Sequence, residues 1–138
     1  MYDRILLPTD GSEEMAPAIE HAVDLAEHHG ATLHALYVLD TASLNSLPME
    51  TSWDTISSIL EDEGETALDV IDDRADDVAV VRQLVEGSPS RRIVQYADEG
   101  EMDLIVMGTH GRGGINRLLL GSVAERVVRS SSVPVLTV

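Results

Sequence analysis

The sequence contains no cysteine, which excludes disulfide bonds and thiolate metal sites. It also contains no phenylalanine, and aromatic residues make up only 3%, so the core must be built from aliphatic side chains. No apolar run approaches the roughly 20 residues that a membrane-spanning helix needs. A strand is predicted at the very start of the chain, which leaves no room for a signal peptide. We therefore expect a cytoplasmic protein with no membrane partner.

Lysine is missing as well, because all nine basic residues are arginine. They face 25 acidic residues, and the formal net charge is −16, so a nucleic-acid partner is not expected. Two explanations of this composition stay open. One is a halophilic origin, since at about 1 M salt the Debye length shrinks to roughly 3 Å and repulsion between carboxylates is screened. The other is an acidic composition unrelated to salt.

The charge is unevenly distributed along the chain. Residues 1–103 carry 24 acidic residues and five arginines, whereas residues 104–138 carry four arginines and a single acidic residue, Glu125. The glycine-rich stretch GTHGRGGINRLLLGS, residues 108–122, lies in this positive segment. An anion would be held there.

Apolar runs alternate with helical patterns along the chain. Strands are predicted at 3–8, 32–39, 78–85, 104–107 and 135–138. Helices are predicted between them, with Ser12, Ser88 and Ser122 as N-caps. Ile59 and Val128 are expected among the inward-facing residues, and the polar third strand is expected near a sheet edge. The pattern βαβαβαβαβ predicts a single α/β domain over 1–138, a doubly wound parallel five-stranded sheet with helices on both faces.

Ligands bind such sheets beyond the carboxyl ends of the strands, where the strand order reverses. For the order 3-2-1-4-5, this crevice lies between strands 1 and 4. The loops at that place are residues 9–12 and the beginning of the glycine-rich stretch at 108–111.

Three familiar phosphate or phosphoryl sites do not fit the stretch. A Walker loop and a response-regulator receiver each need a lysine, and the chain has none. A dinucleotide fingerprint needs G-x-G-x-x-G in the first βα turn, whereas these glycines follow the fourth strand. What remains is close backbone approach at the glycines and the amides of residues 121–123 at the start of the last helix, which together suit an anion.

The spacing Gly108-x2-Gly111-x9-Gly121-Ser122 is similar to the G-2x-G-9x-G-S/T signature of the ATP-binding branch of the universal stress protein family. The stretches ILLPTDGSE (5–13), LHALYVLD (33–40) and LLLGSVAERVVRSSSVPVLTV (118–138) extend the resemblance to nearly the whole chain. It implies a Rossmann-like domain of order 3-2-1-4-5 that binds ATP. It also implies a homodimer that pairs the last strand, Val135 to Val138, across a two-fold axis.

The resemblance implies a set of nucleotide contacts. Adenine would lie beside Pro8 and Met107 and meet the backbone of Val38. The ligand would be ATP with Mg²⁺, and the metal ion would be carried by the phosphates more than by the protein.

The remaining contacts implied by the resemblance concern the ribose and the phosphates. Asp10 would reach the ribose or the metal–phosphate region, and Gly108 and His110 would line the ribose side. The phosphates would be held by Gly111 and by the three residues Gly121, Ser122 and Val123.

Nothing in the sequence resembles a paired general base, an activated nucleophile or a metal cluster. We therefore expect a nucleotide-binding stress or regulatory protein with at most slow ATP hydrolysis and no catalytic residue. Two alternatives stay open. One is an interaction module that binds AMP, another nucleotide or none, and the other is an enzyme that cleaves at the α/β-phosphates.

The halophilic explanation predicts that the fold depends on salt. Dialysis from multi-molar to low KCl should reduce the helical circular dichroism signal, because the surface carboxylates then repel one another unscreened. Equal stability at both salt concentrations would contradict this explanation.

Overall fold

The computed structural model describes residues 1–41, 53–109 and 120–138. Its five strands are β1 (Arg4–Thr9), β2 (Thr32–Asp40), β3 (Val80–Gly87), β4 (Leu104–Met107) and β5 (Val135–Thr137). They form one parallel sheet in the order β3-β2-β1-β4-β5. The predicted doubly wound, Rossmann-like α/β fold and its strand order are confirmed, and the polar β3 is an edge strand as expected.

Helices cover both faces of this sheet. They are α1 (Ala16–His29), α2 (Trp53–Arg74), α3 (Pro89–Glu99) and α4 (Ser122–Ser130). The helices α1 and α2 share a hydrophobic cluster with one face of β1 and β2. On the other face, α3 and α4 share a second cluster with Leu6, Leu36 and Ile105. Because successive side chains of a strand point to opposite faces, a single apolar run supplies both clusters.

The register of the two central strands is anchored at their amino ends by Asp103. Its carboxylate accepts the N–H groups of Asp3 and Arg4 at 2.8 and 2.9 Å, and its own N–H donates to the Arg4 carbonyl at 2.8 Å. These backbone N–H groups, Asp3 first, hold the pKa of the Asp103 carboxyl below its ordinary value. From this anchor β1 pairs with β4, with Ile5 opposite Leu104 and Leu6 opposite Ile105.

Of the three predicted serine N-caps of the helices, only Ser88 is confirmed in position. Ser12 makes no capping hydrogen bond, because a short 3-10 turn at Glu13–Met15 precedes α1. Ser88 occupies the N-cap position of α3, but its hydroxyl does not cap either. In α4 the N-cap is Gly121, and Ser122 is the first helical residue.

Two residues predicted to face inward lie on the surface. Ile59 is 54% exposed and Val128 is 46% exposed. In α2 the buried row runs through Gly64 instead, since a Cβ at Gly64 would collide with the side chains of Leu84 and Tyr37. A glycine therefore continues the inward stripe where the helix approaches the sheet most closely.

The edge strand β3 is held to the acidic helix α2 by one arginine. The Arg82 guanidinium pairs with Glu65, Asp69 and Asp72 at 2.7, 2.8 and 2.6 Å. The contacts with Asp69 and Asp72, with the Asp69 hydrogen bond foremost, raise the pKa of Arg82. Three of the carboxylates on α2 are thus neutralised in part by a single cation.

Across residues 1–41, 53–109 and 120–138, none of the helices combines the length and apolar character needed to cross a membrane.

A half-buried histidine on β2 gives the fold a predicted pH dependence. His34 Nδ1 lies 3.2 Å from the Tyr96 hydroxyl of α3, and burial, followed by the positive charge of Arg4, lowers the pKa of His34 from its ordinary 6.5. As the pH falls, His34 is therefore protonated near pH 6.5 in the unfolded chain but only at a lower pH in the folded chain. This contribution to stability is complete above pH 6.5 and is lost as the pH falls below it.

Urea unfolding between pH 7.5 and 5.5 measures this effect. The wild type should lose more stability over this range than His34→Asn, whereas His21→Asn, at an exposed position of α1, should follow the wild type. A His34→Asn variant with the wild-type pH dependence would show that another group is responsible.

Candidate functional site

The crevice of the sheet lies at the carboxyl ends of β1 and β4, which are neighbours although about 100 residues separate them in sequence. The chain runs from β1 toward β2 and β3 on one side and returns to β4 and β5 on the other. The strand order reverses between β1 and β4, and this is where a doubly wound sheet presents ligand-binding loops. Asp10 directly follows β1, and Gly108 directly follows β4.

The loop after β1 holds the Asp10 carboxylate in place. Asp10 Oδ1 accepts the Ser12 N–H at 2.9 Å, and Thr9 Oγ1 accepts the Gly11 N–H at 3.1 Å. Gly11 has a φ of 79°, a backbone conformation that favours glycine. These contacts turn the chain sharply at the strand end and leave Asp10 half-buried at the mouth of the crevice.

The loop after β4 begins with Gly108 and Thr109. The Thr109 N–H and hydroxyl both donate to the Val138 carbonyl oxygen, each at 2.9 Å. The Thr109 carbonyl accepts the Gly121 N–H at 2.6 Å. The Gly121 amide is therefore already paired, and Ser122 and Val123 supply the next amides toward the site.

The start of α4 has the features of an anion-binding terminus. Gly121 has extended backbone angles, φ −60° and ψ 153°, and its carbonyl accepts the Glu125 N–H at 2.9 Å. The first N–H groups of an α-helix have no carbonyl partner within the helix, and its dipole places about half a positive charge there. Ser122 is exposed and Val123 is half-buried. The helix start thus offers N–H donors beside the ends of the central strands.

An aliphatic surface lies beside this polar part. Val38 and Val123 pack against the cluster of the α3/α4 face, and Met107 is a buried member of it. Pro8 is buried at the end of β1, two residues beyond Leu6 and so on the same face of the strand. A flat apolar group could be covered here while an attached anion lies near α4.

The structure thus describes eight of the ten predicted site residues. Seven of them lie at the ends of β1 and β4 or at the start of α4, and Val38 lies near the end of the adjoining β2. His110 and Gly111 lie outside the described residues, together with Arg112 and Arg117. Within the described ranges no group of three His, Asp or Glu side chains could hold a metal ion.

Sequence reasoning missed Thr109 as a part of this site. The residue stands between two predicted contacts, Gly108 and His110, but its partners are Gly121 and Val138, 12 and 29 residues away. A hydroxyl residue two positions beyond a buried strand was the only local signal. The pairing partners could be found only from the position of β5 next to β4.

A second cleft, of about 310 Å³, lies on the opposite face of the sheet, between the β1 loop and α2. Its walls include Ala16, Ile19, Ala67 and Val70, and the Ser12 hydroxyl is buried there without a hydrogen-bond partner among the described residues. This cleft adjoins the β1 loop and reaches the start of α1 at Ala16, but none of the described residues that line it belongs to the glycine-rich stretch. We therefore place the candidate site on the α4 side.

Comparisons with known proteins agree with this architecture. Universal stress protein MJ0531 of Methanocaldococcus jannaschii is 42% identical over 140 residues, covering 100% of this chain and 82% of that protein. Universal stress protein MJ0577 of the same organism is 31% identical over 155 residues, covering 100% of this chain and 95% of that protein. The solved MJ0577 structure matches with a TM-score of 0.88 at 32% identity, covering 100% of this chain and 96% of that one.

A solved universal stress protein in complex with cAMP is also similar, with a TM-score of 0.66 and 28% identity, covering 99% of this chain and 96% of that one. The sequence model of the universal stress protein family matches residues 1–138. The chain belongs to the universal stress protein family.

Proposed function

We propose that this protein binds ATP at the carboxyl ends of β1 and β4 and that the nucleotide acts as a regulatory ligand in stress survival, with at most slow hydrolysis. The observation that carries the proposal is the start of α4, held by the 2.6 Å hydrogen bond between Gly121 and Thr109 at the reversal point of the sheet. The start of α4 offers N–H groups that could donate hydrogen bonds to a phosphate, in a segment with four arginines and one acidic residue. A universal stress protein similar in fold takes up an adenine nucleotide, cAMP, which supports the ligand class.

The nucleobase would lie on the aliphatic surface. Pro8 and Met107 are buried beside the strand ends, and Val38 at the end of β2 would offer its backbone to the adenine edge. An aliphatic wall with a few backbone donors and acceptors is typical of nucleotide pockets. We expect the base to contribute mainly through burial of apolar surface.

The polar contacts follow from the loops. Asp10 would reach the ribose or the metal–phosphate region, where its orientation is already set by the Ser12 N–H. Gly108 and His110 would line the ribose, and Gly111 and residues 121–123 would hold the phosphates. For Gly121 the relevant property is the missing side chain, since its N–H is bonded to Thr109.

The chemistry of the site suits Mg²⁺ carried by the nucleotide. Mg²⁺ prefers oxygen ligands and commonly keeps phosphate oxygens and waters with one or two carboxylates. Asp10 is a carboxylate at the mouth of the crevice, and the described part of the chain brings no group of three metal-binding side chains together. The proposal therefore gives the metal ion to the phosphates and assigns no catalytic residue.

The proposal includes a homodimer and a cytoplasmic setting, where adenine nucleotides are abundant. β5 lies at the end of the strand order and pairs with β4 on its inner side. Its outer edge could pair with the same strand of a second copy across a two-fold axis. Residues 135–138 would form this contact.

The cAMP complex of the similar protein also favours a second candidate, a module that binds a nucleotide with one phosphate. The two candidates differ in how affinity depends on the phosphate chain. An ATP site gains affinity with each added phosphate, whereas an AMP site does not.

Calorimetry with ATP, ADP and AMP in the presence of Mg²⁺ tests the proposal. The dissociation constant of the wild type for ATP should lie well below 1 mM. Gly121→Val should raise this constant at least about tenfold, or 1.4 kcal/mol, because the added side chain fills the approach to α4. The fold should persist, since the backbone angles of Gly121 are accessible to valine.

Ala79→Val is the matched control, a small-to-valine change at an exposed position preceding β3, and it should bind like the wild type. Unchanged ATP affinity in Gly121→Val would refute the site assignment. A wild-type affinity for ATP no better than millimolar would favour the alternative module.

Phosphate release tests the proposed lack of a catalytic residue. Wild-type protein should release phosphate or pyrophosphate only slowly, and the Asp10→Ala variant should change nucleotide affinity more than the rate at saturation. Multiple-turnover cleavage abolished by Asp10→Ala would instead identify an enzyme.

A further inference from the structure

Thr109 connects the glycine-rich stretch to the last strand of the sheet. Its N–H and its hydroxyl both donate to the Val138 carbonyl oxygen at 2.9 Å, and its own carbonyl accepts the Gly121 N–H at 2.6 Å. One residue thus makes two hydrogen bonds toward the end of β5 and one toward the N-cap of α4. A main-chain oxygen, in a carbonyl or a carboxylate group, has at least two lone pairs, so the Val138 oxygen can accept both donors at once.

The acceptor at Val138 is itself fixed by the sheet. The Val138 N–H donates to the Met107 carbonyl at 2.9 Å, which continues the pairing of β4 with β5 beyond Thr137. Val138 therefore has a defined position relative to β4, one of the two central strands of the site. Because Thr109 is bonded to both Val138 and Gly121, it holds the beginning of α4 in a defined position relative to β5.

The bond between Thr109 and Gly121 also closes the stretch between them. These two residues bracket residues 110–120, and a hydrogen bond joins their main chains directly. Bringing the ends of such a segment together costs conformational entropy, which the folded protein has then already lost before a ligand arrives. A nucleotide that meets a preset helix start does not have to order it.

We propose that Thr109 is a positioning residue for the phosphate part of the nucleotide site, an inference that rests on the proposed function. Its side chain does not contact the ligand. It holds the Gly121 end of α4 against the end of β4, so that the Ser122 and Val123 amides stand ready for the phosphates. Its hydroxyl supplies the second of the two bonds to Val138, which the main chain alone cannot provide.

Two substitutions isolate this hydroxyl. Thr109→Val keeps the β-branched shape and both main-chain hydrogen bonds but removes the donor to Val138. Thr109→Ser restores a hydroxyl without the methyl group. Thr32→Val is the matched control for a threonine-to-valine change in or near a strand. Thr32 begins β2 and so lies at the amino ends of the strands, away from the candidate site.

Calorimetry of the full chain with Mg²⁺–ATP, AMP and adenosine gives the readout. Losing one hydrogen bond behind the phosphate site should weaken ATP binding about fivefold in Thr109→Val while changing adenosine binding less than about twofold. AMP should fall between them. Thr109→Ser should stay within about twofold of the wild type for all three, and Thr32→Val should leave the affinity ratios unchanged.

Hydrogen exchange of the Gly121 amide gives a second readout that needs no ligand. This amide should exchange faster in Thr109→Val than in the wild type and in Thr32→Val, because its acceptor is less firmly held. Equal exchange together with unchanged ATP affinity would overturn the inference. So would an equal loss of ATP and adenosine affinity, since that would identify a general structural role.

The same titrations separate this inference from the proposed function. Absence of ATP binding by the wild type would overturn the proposed function and the inference together. Wild-type binding of ATP with an unchanged ratio of ATP to adenosine affinity in Thr109→Val would overturn the inference alone.

Discussion

The parallel pairing of β1 with β4 is the constraint on which the candidate site depends. Asp103 anchors the amino ends of these strands through three hydrogen bonds with Asp3 and Arg4, and the register then determines where the carboxyl ends lie. Asp10 and Gly108 become neighbours in the fold only because of this register. A shift by one residue would also turn the buried aliphatic side chains of β4 to the wrong faces.

The distribution of charge follows the two faces of the sheet. The strongly acidic helix α2 packs with α1 on one face, and there Arg82 pairs with three of its carboxylates. The helix α4, which begins at the site, lies on the other face and belongs to the segment with four arginines and one acidic residue. Exposed ion pairs contribute about 1 kcal/mol or less each, so this arrangement matters more for the local potential than for stability. A chain with a net charge of −16 thereby has a less acidic segment at the candidate anion site.

Much of the fold could be predicted from sequence because it depends on repeated local patterns. Buried strands read as apolar runs, Arg82 and Gln83 indicated an edge strand, and the alternation of strands and helices restricted the topology. Helix starts were less predictable, since a serine before a helix can cap it, precede a 3-10 turn as Ser12 does, or be its first residue as Ser122 is. Ile59 shows a further limit, because Gly64 took the inward position where helix and sheet approach closely.

The candidate site divides in the same way. Topology alone predicted which two loops meet, and the glycine spacing, through the family resemblance, assigned nucleotide contacts to the loop after β4, an assignment that stays a prediction. The hydrogen bonds from Thr109 to Val138 and from Gly121 to Thr109 join residues 29 and 12 apart, and no local pattern encodes them. Such contacts follow only from the three-dimensional placement of β5 and α4.

Mass spectrometry of the small molecules released when the purified protein is denatured tests the central claim most directly. The account predicts an adenine nucleotide, with ATP predominating, in an amount comparable to that of the protein. A protein that releases no adenine nucleotide, and that releases none after incubation with Mg²⁺–ATP and removal of the excess, would contradict it.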